Sequence, residues 1–273
     1  MPKVFRGFIL GLLIIGSVAL GAFLTLLAIE KYDFWDWVTE SGFTDWLIAV
    51  GTNGAVIVAI FLTMFWEPYK KWQTRPILKI GINFEPPDCQ SIPLVTSMPI
   101  QSRGPIPNYQ FRIYVKNIGK EPASNLEAII IKVFKSSGDK KWDLLPQFIA
   151  TDLLWTHIRV PFLPFLLPGL TKNIDLGHVV KPEFRLYIGE GRPNADPQKT
   201  IFSFDIQIRP NNDYQKILPG VYKFLIVVGA ENCESVEKIF YLRLTGEWFD
   251  TEEEMFSRGI FISDREKDIN INE

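Results

Sequence analysis

Two long uncharged runs near the start of the chain are the feature that most restricts what it can fold into. The first run extends from Gly7 to Ile29 and has 23 residues, and the second extends from Trp46 to Trp66 and has 21. A helix needs about 20 consecutive apolar residues to cross the roughly 30 Å hydrocarbon core of a bilayer. We therefore predict a transmembrane α-helical hairpin over residues 1–66, with spans at about 7–29 and 46–66.

Two alternatives to this hairpin remain open. Either run could be a buried helix of a water-soluble protein. The first run could also be a secretory signal peptide, because Lys3 and Arg6 precede it and the segment 19–21 resembles a cleavage site. Its uncharged stretch exceeds the roughly 7 to 15 apolar residues of a signal peptide, which favours a retained helix.

The distribution of lysine and arginine predicts the orientation of the hairpin. Two basic residues precede the first span, one lies between the spans, and four follow the second span within residues 67–79. Loops rich in lysine and arginine stay on the cytoplasmic side of a membrane. We therefore expect a multi-pass protein of the inner (plasma) membrane, with cytoplasmic N- and C-termini and the lipid bilayer as its first partner.

Small residues recur at helical spacing in both spans and are candidates for helix packing or oligomerisation. They are Gly7 and Gly11 in the first span and Gly51 and Ala55 in the second. Such residues let two helix backbones approach closely, either within one hairpin or between protomers of a homo-oligomer. Asn53 could hydrogen-bond across helices or reach interfacial water. Neither span contains an ionisable residue, which argues against a proton relay or a voltage sensor.

Residues 67–76 form a short basic linker after the second span. Lys70, Lys71 and Arg75 lie close enough to the span to attract anionic lipid, at about 1 kcal/mol per charge. The same charges also fix the topology of the hairpin, and the sequence does not separate the two roles.

From Ile77 onward the chain is rich in β-branched and aromatic residues, separated by turns that contain glycine, proline and asparagine. This pattern predicts short strands without a helical period between them. The predicted strands cover residues 77–84, 109–117, 126–134, 173–179, 184–189, 202–210, 221–230 and 238–246. We therefore expect a mainly β chain with an antiparallel β-sandwich or barrel over residues 77–249, which is cytosolic in the predicted topology.

The end of the chain is expected to differ from the sandwich. Thr251 and Glu254 have the spacing of a capping box, which predicts a short helix that ends near Arg258. The acidic residues that follow predict disorder. Residues 250–273 are therefore assigned to a short helix and an acidic disordered tail.

One strand-turn-strand segment resembles a known family. Residues 114–126 read YVKNIGKEPASNL and are similar to the V-x-N-x-G-x-x-x-A-x-N-V signature of bacterial and archaeal immunoglobulin-like domains of the CARDB type. Residues 218–222, LPGVY, resemble the late hairpin of such domains. The whole layout resembles uncharacterised prokaryotic two-transmembrane-helix proteins with a cytosolic immunoglobulin-like β-sandwich. The resemblance implies an immunoglobulin-like sandwich that binds or spaces rather than catalyses.

Two long insertions interrupt the predicted strands, at about residues 87–107 and 143–171. The second is strongly apolar yet broken by prolines, so it predicts a loop rather than a helix or a third span. Its candidate contact residues are Trp155, Phe162, Leu163, Phe165 and Leu166. These side chains either pack on the sandwich core or form an exposed apolar surface for the inner leaflet, a partner protein or a second protomer.

No arrangement of residues typical of catalysis occurs in the sequence. The two histidines and two cysteines lack metal-ligand spacing, and neither a G-x-S-x-G elbow nor a phosphate-binding G-x-x-x-x-G-K loop is present. The formal net charge of −2 also argues against nucleic acid as a partner. We therefore expect no enzyme activity, no cofactor, no metal and no nucleic-acid partner.

Two functions fit these features. The first is a membrane-anchored cytosolic binding or scaffolding module whose sandwich loops engage an unknown protein or small-molecule ligand. The alternative is a ligand-triggered sensor-effector whose transmembrane helices oligomerise and permeabilise the membrane, as in prokaryotic defence effectors of similar layout. An enzyme with an unusual site has the least support, because acid–base groups do not converge in the sequence.

Overall fold

The structure, a computed structural model, divides the chain into two compact units. One unit extends to Thr74, and the other begins at Arg75. The residues described are 41–94, 105–138, 141–192, 195–208 and 213–269 of the 273. The predicted first span and its candidate packing residues Gly7 and Gly11 therefore lie outside the described residues.

The described part of the first unit is one continuous helical segment. Helix α1 (Ser41–Phe61) continues through a π-helical turn (Leu62–Trp66) into helix α2 (Glu67–Thr74). The backbone at Phe61 and Glu67 keeps right-handed helical dihedral angles, so the turn extends the helix without a break. No helix in the described residues combines the length and the apolar character needed to cross a membrane.

The described residues of the second unit contain fourteen strands, which form two antiparallel sheets. The strands are β1 (Leu78–Gly81), β2 (Cys89–Ser91), β3 (Asn108–Asn117), β4 (Ala123–Ser136), β5 (Trp142–Leu144), β6 (Thr151–Asp152), β7 (Leu154–Trp155), β8 (Phe162–Leu166), β9 (Thr171–Val180), β10 (Phe202–Phe204), β11 (Lys216–Ile217), β12 (Gly220–Ala230), β13 (Cys233–Leu244) and β14 (Ile260–Ser263). The first sheet has the order β1-β3-β9-β10-β11, with β2 also paired to β3 and β7 to β9. The second has the order β14-β13-β12-β4-β5, with β6 and β8 also paired to β4. The prediction of a mainly β, antiparallel chain is confirmed.

Alternating side chains explain why these strands stack as two layers. In β3 the side chains of Phe111, Ile113 and Val115 are fully buried, whereas Lys116 is exposed. One hydrophobic cluster contains buried side chains from both sheets. Phe204 of the first sheet and Phe224 of the second meet edge to face, with ring centroids 5.6 Å apart. The two sheets are therefore the layers of a sandwich-like fold around a shared core.

A buried asparagine connects several segments at one end of the sandwich. The side chain of Asn117 donates to the carbonyl oxygens of Glu121 (2.8 Å) and Leu166 (3.0 Å). Its Oδ1 atom accepts from the backbone N–H groups of Gly119 (2.9 Å) and Ile77 (3.3 Å). Both donors and both acceptor positions of this amide are used. It thereby joins the residue before β1, the turn after β3 and the end of β8.

Gly119 in the same turn has no room for a side chain. An added Cβ atom would lie 2.4 Å from the Arg75 carbonyl oxygen and 2.5 Å from the Ile77 nitrogen. Asn117 and Gly119 of the N-x-G segment are therefore needed for different physical reasons. The asparagine bonds backbone groups, and the glycine lets the start of the sandwich unit pass directly against the turn.

The expected strand at residues 184–189 is wrong. Pro182–Phe184 form a 3₁₀ turn, and the chain continues in turns to Gly189. The backbone N–H groups bond within this segment, as from Tyr187 to the Phe184 carbonyl at 3.1 Å, rather than to a neighbouring strand. Proline suits the first position of a helical turn because its φ angle is fixed and its missing N–H is not needed there.

The predicted short helix after Thr251 is confirmed, but the predicted disorder is wrong as far as residue 269, the last described residue. Helix α3 (Glu252–Glu254) has Thr251 as its N-cap and passes into a single π-helical turn. The chain then adds β14 to the edge of the second sheet, beside β13. Ile260, Ile262 and Ile269 are buried, and this apolar burial offsets the acidic composition that predicted disorder. The sandwich unit therefore extends beyond residue 249.

The apolar insertion at residues 143–171 is not a loop throughout. It contributes β6 to the second sheet, β7 to the first and β8 to the second, so the chain crosses between the layers and returns. Pro164 lies in β8, an edge strand, which is where a sheet tolerates proline. The prolines therefore shorten these strands without preventing them.

Replacing Asn117 by alanine should destabilise the sandwich. The variant removes the hydrogen bonds to four backbone groups, at about 1 kcal/mol each with partial compensation by water, so we expect a loss of about 2–4 kcal/mol in the free energy of unfolding. Denaturant unfolding of the full chain in detergent measures this change. Lys120→Ala removes an exposed side chain from the same turn and should cost less than about 0.5 kcal/mol. Equal stability of the two variants would contradict the role of the amide.

Candidate functional site

The helical segment from Ile48 to Trp66 exposes apolar side chains around its circumference. The exposed residues are Ile48, Val56, Val58, Ile60, Leu62, Met64 and Trp66. Positions two apart on a helix are separated by about 200°, so Val56 and Val58 lie on nearly opposite sides. A surface helix of a water-soluble protein normally has one apolar and one polar face. Ile57 and Phe61, on one face of the helix, are partly buried. This segment is therefore suited to an apolar environment over most of its circumference.

The candidate packing residues of α1 lie on the surface. A Cβ atom added at Gly51 would meet no atom beyond its own helix backbone within 4 Å, and Ala55 is exposed. The Asn53 side chain is exposed and forms no hydrogen bond to another described residue. Thr52 beside it donates to the Ile48 carbonyl at 2.7 Å. Among the described residues, none covers this face of the helix.

The basic residues of the predicted linker fall into two groups. Lys70 and Lys71 are exposed on α2. Arg75 is the first residue of the sandwich unit, and its guanidinium pairs with the Glu234 carboxylate at 2.9 Å. Because the Glu234 side chain is largely exposed, this ion pair contributes little to stability. The linker therefore ends at Thr74, slightly earlier than predicted.

The candidate contact residues of the apolar insertion divide into buried and exposed sets. Trp155, Leu163 and Leu166 are buried in the core, as the packing alternative requires. Phe162 and Phe165 are 49% and 60% exposed, respectively. Of the five candidates, only Phe162 and Phe165 are therefore available to an exposed apolar surface.

A buried cluster of charged and polar side chains lies on the first sheet, and we call it the His178 cluster. Its members are His178, Asp205, Glu190, Ser203 and Gln110. The His178 Nδ1 atom is 2.9 Å from the Asp205 carboxylate, and its Nε2 atom is 3.8 Å from the Glu190 carboxylate. Ser203 donates to Glu190 at 2.6 Å, and Gln110 donates to Asp205 at 2.5 Å. The strands bring Gln110, His178 and Ser203 side by side, since these residues are register partners.

The electrostatics of the cluster favour a charged Asp205. Burial on its own raises the pKa of this carboxyl, because a charge loses its hydration there. The positive charge of His178 and the hydrogen bonds from His178 and Gln110 outweigh that effect, so the pKa of Asp205 lies below its usual value. The Asp205 carboxylate is therefore a paired, buried charge rather than an isolated one.

The geometry of the cluster differs from that of a nucleophilic site. Ser203 donates its hydroxyl proton to Glu190, whereas a serine nucleophile would bond to the imidazole that activates it. The Cys89 thiol is fully buried, and burial raises its pKa to about 12, so it is not a thiolate at neutral pH. Among the described residues, no group of His, Cys, Asp and Glu side chains is arranged to hold a metal ion.

The His178 cluster fastens a segment that covers this part of the first sheet. We call residues 181–192 and 195–200 the cover segment. Lys216 of β11 donates to the carbonyl oxygens of Gly189 (3.2 Å) and Gly191 (2.7 Å). Arg185 is buried and donates to the Asp196 carbonyl at 2.9 Å, and burial lowers its pKa. Charges on the sheet and in the segment therefore hold an irregular stretch of chain in place.

The cover segment also forms one wall of an open groove of about 480 Å³. Lys181 and Lys199 line it from the cover segment, and Trp248 and Phe249 line it from the chain after β13. Asp250 holds the two sides together, since it accepts from the Trp248 indole at 2.8 Å and from Lys181 at 3.1 Å. These two hydrogen bonds, that from Trp248 first, lower the pKa of Asp250. Glu183 and Glu247 also line the groove, so it offers aromatic surface and side chains of both charges to a small ligand.

The fold and these features define a protein with a two-layered antiparallel β-sandwich and a separate apolar helix. Comparison with known protein families gave no match. Comparison with curated proteins gave no match either. The assignment of function therefore depends on the geometry alone.

Sequence reasoning missed the His178 cluster and the groove. The members of the cluster come from separate segments and meet only through the strand register and the folding back of the cover segment. One signal was available. Asp175 and His178 interrupt a predicted apolar strand, and polar residues in a buried strand require partners.

Lowering the pH should destabilise the sandwich through Asp205. Its pKa is lower in the folded chain, so its contribution to the free energy of unfolding is present above the pKa of an unfolded aspartate, about 4, and is lost as the pH falls through the folded pKa. Between about pH 5 and pH 2, Asp205→Asn should show a smaller fall in unfolding free energy than the wild type. Asp143→Asn changes an exposed carboxyl of β5 and should keep the wild-type slope. Identical slopes for all three proteins would contradict the role of Asp205.

Proposed function

We propose that this protein is a membrane-anchored module whose hairpin, with spans at about 7–29 and 46–66, holds the β-sandwich at the cytoplasmic face of the inner (plasma) membrane. The sandwich binds a protein or small-molecule ligand and does not catalyse a reaction. The observation that carries the proposal is the helical segment from Ile48 to Trp66, which exposes apolar side chains over most of its circumference.

The free energy of hydration supports this proposal. Full burial of a valine, isoleucine or methionine side chain is worth about 1.5–3 kcal/mol, and several such side chains are exposed on this segment. The π-helical turn extends α1, so the uncharged run of 21 residues from Trp46 to Trp66 is helical throughout. At 1.5 Å per residue this run is roughly 30 Å long, which matches the hydrocarbon thickness.

Two further features support the arrangement of the module. Four basic residues follow the second span and one lies between the spans, which favours a cytoplasmic sandwich.

We also propose an immunoglobulin-like origin for the sandwich, supported by the turn in which Asn117 and Gly119 have separate structural roles. The ligand site of the module is the groove beside the cover segment, whose Trp248 and Phe249 suit a small aromatic ligand.

Introducing charge into the second span should invert the location of the sandwich. With two lysines in place of Val56 and Val58, at about 2.5–3.5 kcal/mol each, the second span should fail to insert while the first span still inserts. A C-terminal reporter should then move from the cytoplasm to the exported compartment. The matched control, leucine at both positions, should keep the reporter in the cytoplasm. A wild-type chain that alkaline carbonate releases from membranes, or whose reporter is exported, would contradict the proposal.

A second candidate function is a sensor-effector whose helices oligomerise and permeabilise the membrane. The observation that favours it is the open surface at Gly51, Asn53 and Ala55. Small residues permit close helix contact, and an asparagine can hydrogen-bond to a neighbouring helix at roughly 0.6–2 kcal/mol.

Dye leakage from cells that express the chain tests this second function. The wild type should cause leakage, and Asn53→Leu or Gly51→Leu should abolish it, because each change removes a helix contact while keeping the span apolar. Val56→Leu lies on the same helix without altering the small-residue surface and should leak like the wild type. A wild-type chain that causes no leakage under any added ligand would exclude this function.

A further inference from the structure

Four segments meet at one end of the sandwich, and we call this end the base. They are residues 75–77, 117–122, 167–170 and 231–232. The Asn117 backbone accepts from Gly169 at 2.8 Å and donates to Leu170 at 3.2 Å, and Ile118 donates to Ile77 at 2.7 Å. These bonds, together with those of the Asn117 side chain, fix the backbone of the base.

The base exposes a group of large apolar side chains. They are Ile77, Ile118, Phe165, Leu167 and Leu170. Single exposed apolar residues are common on protein surfaces, but an adjoining group of this kind marks an interaction surface. The backbone bonds hold the 167–170 loop in place, so its leucines stay turned away from the core.

Lysines surround this apolar group. Lys79, Lys116, Lys120 and Lys172 are exposed and form no ion pair with another described residue. Lys79 and Lys116 are direct register partners on neighbouring strands, and like charges in that position repel each other unless an anion lies between or above them. Glu121 and Glu231 are the acidic residues of the base segments, and Glu234 pairs with Arg75. Lys79, Lys116 and Lys172 beside these segments give the region a small basic excess.

The sandwich unit begins at its base, since Arg75 is its first residue and lies against Gly119. Residues 67–76, a length of at most about 35 Å even when fully extended, separate the proposed span from Ile77. Anionic lipid is the partner that such a surface fits, because the headgroups attract lysines while apolar side chains enter the interface.

We propose that the base is a second membrane contact, in which Ile118, Leu167 and Leu170 enter the lipid interface and Lys79 and Lys116 bind anionic headgroups. This inference rests on the proposed membrane anchor. It adds that the sandwich is held against the leaflet in one orientation, with the His178 cluster and the groove away from the lipid.

The test uses the full chain in nanodiscs that contain phosphatidylglycerol and spin-labelled lipid. A fluorescent probe is attached at Leu167→Cys in a Cys233→Ser background, since the other cysteine, Cys89, is buried. The control probe is at Leu186→Cys, which is 75% exposed in the cover segment. Lipid should quench the probe at position 167 several-fold more strongly than the probe at position 186.

Charge variants test the lysines. Each lysine near an anionic surface contributes about 1 kcal/mol, so Lys79→Glu and Lys116→Glu should each lower the equilibrium for contact about fivefold or more. Lys141→Glu changes an exposed lysine beyond the far end of β4 and should leave quenching unchanged. Quenching should also weaken in nanodiscs of phosphatidylcholine alone and at high salt.

The outcomes separate this inference from the anchor itself. Equal quenching at positions 167 and 186, or none at either, in a chain that stays in the nanodisc would overturn the base contact and leave the anchor intact. A chain that does not stay in the nanodisc would overturn both. If the fluorescence of the probe at position 167 changes with protein concentration in detergent without lipid, the base binds a second copy of the chain. The lipid assignment is then wrong.

Discussion

The side-chain amide of Asn117 is the interaction on which the base of the sandwich depends. Where strands end, backbone N–H and C=O groups lose their ladder partners, and leaving them buried without a partner costs about 1–3 kcal/mol each. Asn117 satisfies such groups before β1, after β3 and at the end of β8. The turns can therefore be short and fixed. A fixed backbone is what allows leucines to remain exposed, since a loose loop would fold them onto the core.

The other end of the sandwich is organised by charge rather than by backbone hydrogen bonds. Burying His178 with two carboxylates is costly unless each charge has a partner, and the register of the first sheet supplies those partners. Lys216 then holds the carbonyl groups of the cover segment. The groove is built on that segment, so a ligand that shifts it would act on a network of paired charges. The two ends thus have different chemistry, which suits one to lipid and the other to a ligand.

Much of the fold could be predicted from the sequence because it depends on local pattern. The alternation of Phe111, Ile113 and Val115 is sufficient to predict β3, and the spacing of Thr251 and Glu254 is sufficient for the helix after the sandwich. Residues 184–189 have the composition of a strand but no strand to pair with, and pairing is not a local property. The cluster of His178, Asp205 and Glu190 was unpredictable for the same reason. Asn117 could be recognised from the sequence as part of a motif, but its hydrogen-bond partners at Ile77 and Leu166 could not.

A weak contact at the base is enough to orient the sandwich if the hairpin tethers the chain as proposed. Free in solution, a few exposed apolar side chains and two lysines would give only marginal binding to a membrane. Once the hairpin is anchored, the same contact becomes intramolecular, and a short linker raises the effective concentration of the base near lipid into the millimolar range. Residues 67–74 form helix α2, so the connection is short. A flexible insertion after Thr74 would lower that concentration only gradually, because the entropy of loop closure grows slowly with length. The orientation of the sandwich therefore depends on the surface of the base itself.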